Sequence, residues 1–318
     1  GGVRATIYGD QTIFLFCGCG RSPARTGRKY KRGEAEMIAA VLLACAALAC
    51  ALALFLICPA FGRRALRAPF AGRNYAHRGL FARDQSTPEN SLPAFEAAAK
   101  AGYGIELDVQ FTSDRQLVVF HDDTLDRMTG VHGWVRDYPW QQVGALPLAG
   151  TGYHPPRFAD VLDTVAGRVP LIVEIKSRRE YTGAYLDALC RAVLDALAGY
   201  NGPYCIESFD PRVVRRIRKF APGVLRGQLA DCTQSYRDEG ANPLHAFVMS
   251  HLLGNFLGRP DFIAWCPAPR NGAVKLARAL GAMMVYWTAL PADDTAKLEA
   301  DHDAVIFQWY APAAKYRP

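Results

Sequence analysis

The stretch Gly-Ile-Glu-Leu-Asp-Val-Gln-Phe-Thr-Ser-Asp-Arg-Gln-Leu-Val-Val-Phe-His-Asp, residues 104–122, holds two short apolar runs, 105–110 and 117–121, with six residues between them. A parallel crossover needs about a dozen residues or more, so these runs predict an antiparallel hairpin. With Asp114 and Arg115 as a two-residue turn, paired positions sum to 229 and Asp108 faces His121. Strand side chains alternate, which puts Glu106 and Asp108 on one face. In Leu-Ile-Val-Glu-Ile-Lys, residues 171–176, Glu174 and Lys176 likewise share a face. Acids inside otherwise apolar strands are costly unless they are paired or hold a metal. Three carboxylates, Glu106, Asp108 and Glu174, therefore suggest a site for a hard divalent cation, Mg²⁺ or Ca²⁺. A structural ion pair between Glu174 and Lys176, with Glu106 and Asp108 capping loops, remains the alternative on these residues alone.

Working outward, further strands are expected at 74–77, 204–209, 225–229, 262–266, 283–288 and 304–308, and helices at 91–101, 185–198, 211–220, 273–280 and 292–300. Alternating strands and helices imply βα units on a parallel sheet. With 171–176 the strands number nine, one more than a TIM (β/α)₈ barrel takes, and assigning 117–121 to the hairpin leaves eight. Polar clusters then fall at strand ends, where such barrels keep their chemistry. They are His77-Arg78-Gly79, Glu106-Leu107-Asp108, His121-Asp122 and Glu174-Ile175-Lys176.

The net charge of +7 resolves along the chain into +4 over residues 1–36, +4 from Arg63, Arg64, Arg67 and Arg73, and −1 over 74–318. Basic residues flanking one apolar segment point to a membrane and not to nucleic acid. Residues 38–58 are uncharged and would span about 31 Å as a helix, close to a bilayer core. A single transmembrane helix is expected, with a cleaved signal peptide as the alternative. The expected organisation is a leader or non-native extension at 1–36 with Met37 as the natural start, an anchor at 37–60, a basic juxtamembrane linker at 61–73, and a catalytic domain at 74–318. The nine cysteines are widely and irregularly spaced, which argues for reduced thiols and against a disulfide framework. Their state and the positive-inside rule applied to the four arginines place the domain in the cytoplasm, on a single-pass cell-membrane anchor.

Five motifs in order, Tyr-Ala-His-Arg-Gly (75–79), Pro-Glu-Asn-Ser-Leu-Pro-Ala-Phe (88–95), Gly-Ile-Glu-Leu-Asp-Val (104–109), Val-Val-Phe-His-Asp-Asp-Thr-Leu-Asp-Arg (118–127) and Val-Glu-Ile-Lys (173–176), resemble the signatures of the glycerophosphodiester phosphodiesterase family. Ser208-Phe209 and Trp287-Thr288 are similar to later landmarks, so the resemblance covers roughly 74–310. It implies a phosphodiesterase-type TIM barrel that hydrolyses glycerophosphodiesters to sn-glycerol 3-phosphate and an alcohol. It further implies Glu106, Asp108 and Glu174 as metal ligands, His77 and His121 as general base and general acid, and Arg78 and Lys176 as phosphate clamps. Elementary chemistry asks for the same set: a base, an acid, and positive charge on the phosphoryl oxygens. Glu89 and Asn90 are read as supporting His77 or as a helix cap, and Trp287 as a stacking surface for substrate or as a core aromatic. The other five histidines, at 132, 154, 245, 251 and 302, match no family motif.

Three departures bear on the alcohol side of the substrate. Arg115 stands where the family often has Gly, Ala289-Leu290 follows Trp287-Thr288 in place of Val-Asn, and the last strand ends in Gln308 in place of Asp. Lysophospholipid substrates, a phosphatidylinositol phospholipase C type activity, and an inactive membrane-tethered binding barrel are the competing readings.

Overall fold

The computed structural model describes residues 24–317. Two compact units meet at residue 51. In the first, the described residues belong to helix α1 (Ala24–Ile57), which runs on into the second. Its segment Glu34–Ile57 is long and apolar enough to cross a membrane, a property that signal sequences share. Of the expected leader, residues 1–23 lie outside the described residues, and 24–36 are helical and continuous with the apolar segment.

The second unit is a closed barrel. Strands β1 (Arg73–His77), β2 (Gly104–Phe111), β4 (Leu171–Ile175), β5 (Tyr204–Ser208), β6 (Leu225–Ala230), β7 (Phe262–Trp265), β8 (Met283–Ala289) and β9 (Ala304–Phe307) are all parallel, and β1 pairs with both β9 and β2 to close the ring. The ninth strand, β3 (Leu117–Val119), pairs antiparallel with β2, as the short connection requires.

Alternation along each strand sorts the side chains. Ile105, Leu107, Val109, Val173 and Ile175 face outward and pack against helices, among them Phe158–Val165 and Gly183–Leu197. Tyr75, Ile172, Leu225, Leu229, Phe262 and Ile306 fill the lumen. Two glycines make room for the lumen aromatics: a Cβ on Gly104 would lie 2.4 Å from the Tyr75 ring, and one on Gly227 would lie 2.0 Å from the Phe262 ring. The helix Pro211–Phe220 starts where Asp210 accepts a hydrogen bond from Arg212 N at 2.8 Å and Pro211 takes the first helical position, a strong N-terminal stop. Helices Phe158–Val165, Thr233–Asp238 and Pro243–Ser250 lie outside those expected from the sequence.

Residues 61–73, expected as a linker, are docked on the barrel. Arg63 Nε donates to the fully buried Asp261 at 2.7 Å and its Nη2 to Val224 O at 2.8 Å, while Arg67 Nη1 donates to Gly281 O at 2.7 Å. These acceptors directly precede β7, β6 and β8, so the segment caps the N-terminal ends of the strands.

The hairpin register differs from expectation by one residue. Val109 pairs with Val119 and Phe111 with Leu117, so positions sum to 228 and Asp108 lies opposite Phe120, whose N–H donates to Asp108 O at 3.0 Å. The cause is the turn. Arg115 N donates to Thr112 O and Thr112 N to Gln116 O, which makes a three-residue loop closed by Arg115 at φ 59°. Such loops place a left-handed residue last. That conformation costs a non-glycine residue about 1–2 kcal/mol, partly offset by glycine's larger folding entropy, about 0.5–1 kcal/mol. Arg115→Gly is therefore expected to stabilise the protein by about 0.5–1 kcal/mol in denaturant titration. A loss of stability would mean that the Arg115 side chain holds the turn.

Candidate active site

Parallel register brings the polar groups of neighbouring strands to one level at the carboxyl end of the lumen. His77 pairs with Glu106, Asp108 with Glu174, and Glu174 with Glu207. One oxygen from each of Glu106, Asp108 and Glu174 lies within 4.8 Å of the others, and all three residues are buried.

The charges around them do not balance. Lys176 Nζ lies 2.8 Å from Glu174 Oε2 and 2.8 Å from Asp108 Oδ1, so the ion pair weighed from sequence does form, with Asp108 as a second partner. Arg78 Nε lies 3.8 Å from Asp108 Oδ2. Burial opposes the charge of Asp108, yet Lys176, His121 and Arg78 together hold it well below the usual carboxylate range. Glu106 goes the other way, pushed well up by burial and then by Asp108, Glu207 and Glu174. Glu207 is likewise raised by burial, Glu174 and Asp108, and its Oε2 has no hydrogen-bond partner among the described residues. Among the described residues, these four lumen carboxylates have Lys176 and Arg78 as their permanently charged cationic neighbours, and that deficit of positive charge is what a carboxylate site for a divalent cation presents.

The two histidines differ in their partners. His77 Nδ1 bonds Gln308 Oε1 at 2.7 Å, and its Nε2 faces Glu106 Oε2 at 3.8 Å. An amide oxygen accepts the Nδ1 proton and leaves the Nε2 lone pair toward the cluster. Burial, with the charge of Arg78, lowers its pKa to about 3. His121 Nδ1 lies 2.7 Å from the Asp122 carboxylate instead. The Asp122 carboxylate accepts the Nδ1 proton and so fixes the orientation of the His121 ring.

The loop after β1 aims Arg78 inward. Arg78 has φ 56° and its N–H donates to Glu106 Oε2 at 3.2 Å. The next residue, Gly79, has φ 83°, and a Cβ there would meet the Ala94 backbone at 2.9 Å. Glu89 accepts from Arg78 Nη1 at 2.7 Å and from Arg127 Nη2 at 2.7 Å, and Arg127 Nε donates to Asp122 Oδ2 at 2.6 Å. Asn90 Nδ2 donates to Asp108 Oδ2 at 2.7 Å. Glu89 and Asn90 therefore bond Arg78 and Asp108, not His77, and the N-cap of the helix Leu92–Lys100 is Ser91. Trp287 stacks edge-on against Phe209 with centroids 5.5 Å apart, and its buried Nε1–H has no partner among the described residues. A hollow of about 570 Å³ is lined by Arg270 and by Lys275, Arg278 and Ala279 of the outer helix Gly272–Ala279.

The sequence reading assigned no role to Glu207, Gln308, Asp122 or Arg127. Glu207 carries the same signal as Glu174, an acid inside an apolar strand, and Gln308 directly follows the last strand.

Residues 77–308 match the model of the glycerophosphoryl diester phosphodiesterase family. A glycerophosphodiester phosphodiesterase of Caldanaerobacter subterraneus subsp. tengcongensis is 33% identical over 210 residues, covering 63% of this chain and 82% of that protein. Glycerophosphodiester phosphodiesterase 1 of Rattus norvegicus is 31% identical over 154 residues, covering 45% of this chain and 44% of its own length. Among solved structures, an Oleispira antarctica phosphodiesterase in complex with its product sn-glycerol-3-phosphate aligns with a TM-score of 0.58 at 20% identity over 75% of this chain and 93% of its own. The Thermotoga maritima glycerophosphodiester phosphodiesterase aligns at 0.53 and 24% identity over 74% and 93%. The matched span begins at His77 and ends at Gln308, the pair that bonds across the seam where β1 meets β9. The match takes in the end of β1 and the other seven ring strands, and the chain belongs to the glycerophosphoryl diester phosphodiesterase family of phosphoric diester hydrolases.

Proposed function

We propose that this protein hydrolyses glycerophosphodiesters to sn-glycerol 3-phosphate and an alcohol, with a divalent cation, Mg²⁺ or Ca²⁺, held by Glu106, Asp108 and Glu174. The observation that carries the reading is the convergence of those three buried carboxylates within 4.8 Å between two histidines of opposite bonding character. The product bound by the Oleispira relative supports the substrate class. When bound, the cation adds positive charge at a phosphoryl oxygen.

The chain's own groups divide the remaining work. His77 Nε2 takes the proton of the attacking hydroxyl, and His121 Nε2–H gives one to the departing alkoxide. Arg78 and Lys176 place charge on the phosphoryl oxygens, Glu89 and Arg127 hold Arg78 and Asp122, and Asn90 holds Asp108. Trp287 offers a ring face to the substrate. The attacking oxygen on this reading is the substrate's own glycerol 2-hydroxyl, giving a cyclic phosphate that water opens. A rapid-quench experiment that traps no cyclic phosphate would exclude that course.

Incubating the purified chain with glycerophosphocholine, glycerophosphoethanolamine and lysophosphatidylcholine tests the assignment. The expected result is alcohol and sn-glycerol 3-phosphate from the diesters, abolished by chelator and restored by Mg²⁺ or Ca²⁺. Turnover of the lysolipid alone would make the protein a lysophospholipase D, and no turnover at all would favour a tethered binding barrel.

We further propose that residues 37–60 anchor the protein in the cell membrane as a single span, with the domain 74–318 on the cytoplasmic side. The four arginines after the span support this through the positive-inside rule, although Arg63 is also engaged with Asp261. A C-terminal alkaline phosphatase fusion should be inactive in intact cells, because that reporter needs an oxidising compartment, and strong activity would reverse the orientation.

A further inference from the structure

The parallel pairing of β6 with β7 brings together three groups that lie far apart in the chain. Ala230 and Trp265 are partners at the ends of these strands, so Asp231 and Cys232 emerge beside Cys266. One donor atom from each of Asp231, Cys232 and Cys266 lies within 4.8 Å of the others. Cys266 is buried and Cys232 partly buried, both in an apolar cluster with Ala230, Ile263 and Trp265. Neither forms a disulfide. The Asp231 carboxylate accepts a hydrogen bond from Cys232 N at 2.6 Å.

We propose that Asp231, Cys232 and Cys266 form a second cation site at the mouth of the barrel, separate from the lumen carboxylates, that takes a Zn²⁺-class ion through two thiolates and one carboxylate. The donor set decides the class. Thiolates select borderline and soft ions such as Zn²⁺ and Cd²⁺, whereas the oxygen-only lumen cluster suits Mg²⁺ or Ca²⁺. Three protein donors leave one position of a tetrahedral ion open. On binding, each thiol becomes a thiolate and its proton passes to solvent, with no change of oxidation state.

The site has a route to the substrate-facing wall. Asp231 N donates to Tyr236 OH at 3.2 Å, the Tyr236 ring packs on Phe209, and Phe209 packs on Trp287. A bound ion would fix Asp231 and so the aromatic row that ends at Trp287.

Titration of the reduced full chain in detergent with Cd²⁺, read by the ultraviolet thiolate-to-cadmium charge-transfer band, tests this. The cysteines at 17, 19, 45, 50 and 58 can add bands of their own, so the readout is the difference between wild type and variant. The expected result is one Cd²⁺ equivalent of band lost in Cys232→Ser and again in Cys266→Ser, but kept in Glu106→Gln. Asp231→Asn retains both thiols, and its Cd²⁺ affinity should fall by about 10-fold or more, the least that loss of a supporting group costs. If the serine variants lose their circular dichroism, Asp231→Asn decides alone. A band unchanged in folded serine variants, or an affinity unchanged in Asp231→Asn, would overturn the proposal. So would a Cys232–Cys266 cross-linked peptide from protein purified under reducing conditions, since the pair would then be a disulfide.

Discussion

Glu106→Gln is expected to lower turnover by roughly 10³-fold or more while raising the melting temperature of the cation-free protein. The first effect follows from losing one of three anionic donors, since a bound cation contributes several kcal/mol of charge stabilisation and each 1.4 kcal/mol is about tenfold in rate. The second follows from the sign of the shift. Burial and three neighbouring acids push Glu106 well above its ordinary pKa. A carboxyl raised in this way contributes stability below its unfolded pKa, about 4.3, and that contribution is lost as pH rises through the folded value. At neutral pH, chelated wild-type protein therefore bears the cost of burying this charge or of taking up a proton to neutralise it, which glutamine does not, and the gain should vanish when saturating Mg²⁺ or Ca²⁺ is present. Asp108 has the opposite sign. Lys176, His121 and Arg78 hold it down against burial, so its contribution is present above about pH 4 and lost as pH falls. Asp108→Ala should cost about 3–5 kcal/mol, because it strands Lys176 without one of its two partners. Thermal melts with and without chelator, run beside the diester assay, decide the matter: a Glu106→Gln protein that melts lower than wild type without cation would sink the electrostatic account, and near-normal turnover would remove Glu106 from the site.

His77→Ala and His121→Ala should each cost about 10²- to 10⁴-fold in turnover with the fold intact, the usual contribution of a positioned acid or base. The two roles are separable by leaving group. An aryl glycerophosphate expels a weakly basic phenolate that needs little protonation, so His121→Ala should recover most of its loss on that substrate. His77→Ala should remain equally impaired on alkyl and aryl diesters, because its task is on the attacking side. The reverse pattern would exchange the assignments, and normal turnover in either variant would remove that residue from the chemistry. The partners favour the stated order: the amide oxygen of Gln308 takes the Nδ1 proton of His77 and leaves a lone pair on Nε2, whereas the carboxylate of Asp122 orients the ring of His121.

The sequence alone determined what depends on near neighbours. Alternation within 104–111 and 171–175 placed Glu106, Asp108 and Glu174 inward, and six residues between two apolar runs excluded a parallel crossover and so left eight strands for the ring. These follow from a strand period of two and from the reach of a short chain, both local properties. Tertiary structure decided the rest. The hairpin register turned on one backbone angle, the left-handed φ of Arg115. The docking of Arg63 on Asp261, the bond from Asn90 to Asp108, the bond from His77 to Gln308 and the meeting of Cys232 with Cys266 each join residues that no spacing relates. Such pairs are fixed only when parallel strands settle into register and the barrel closes. That closure sets which side chains share a level in the lumen and how many charges must be balanced there.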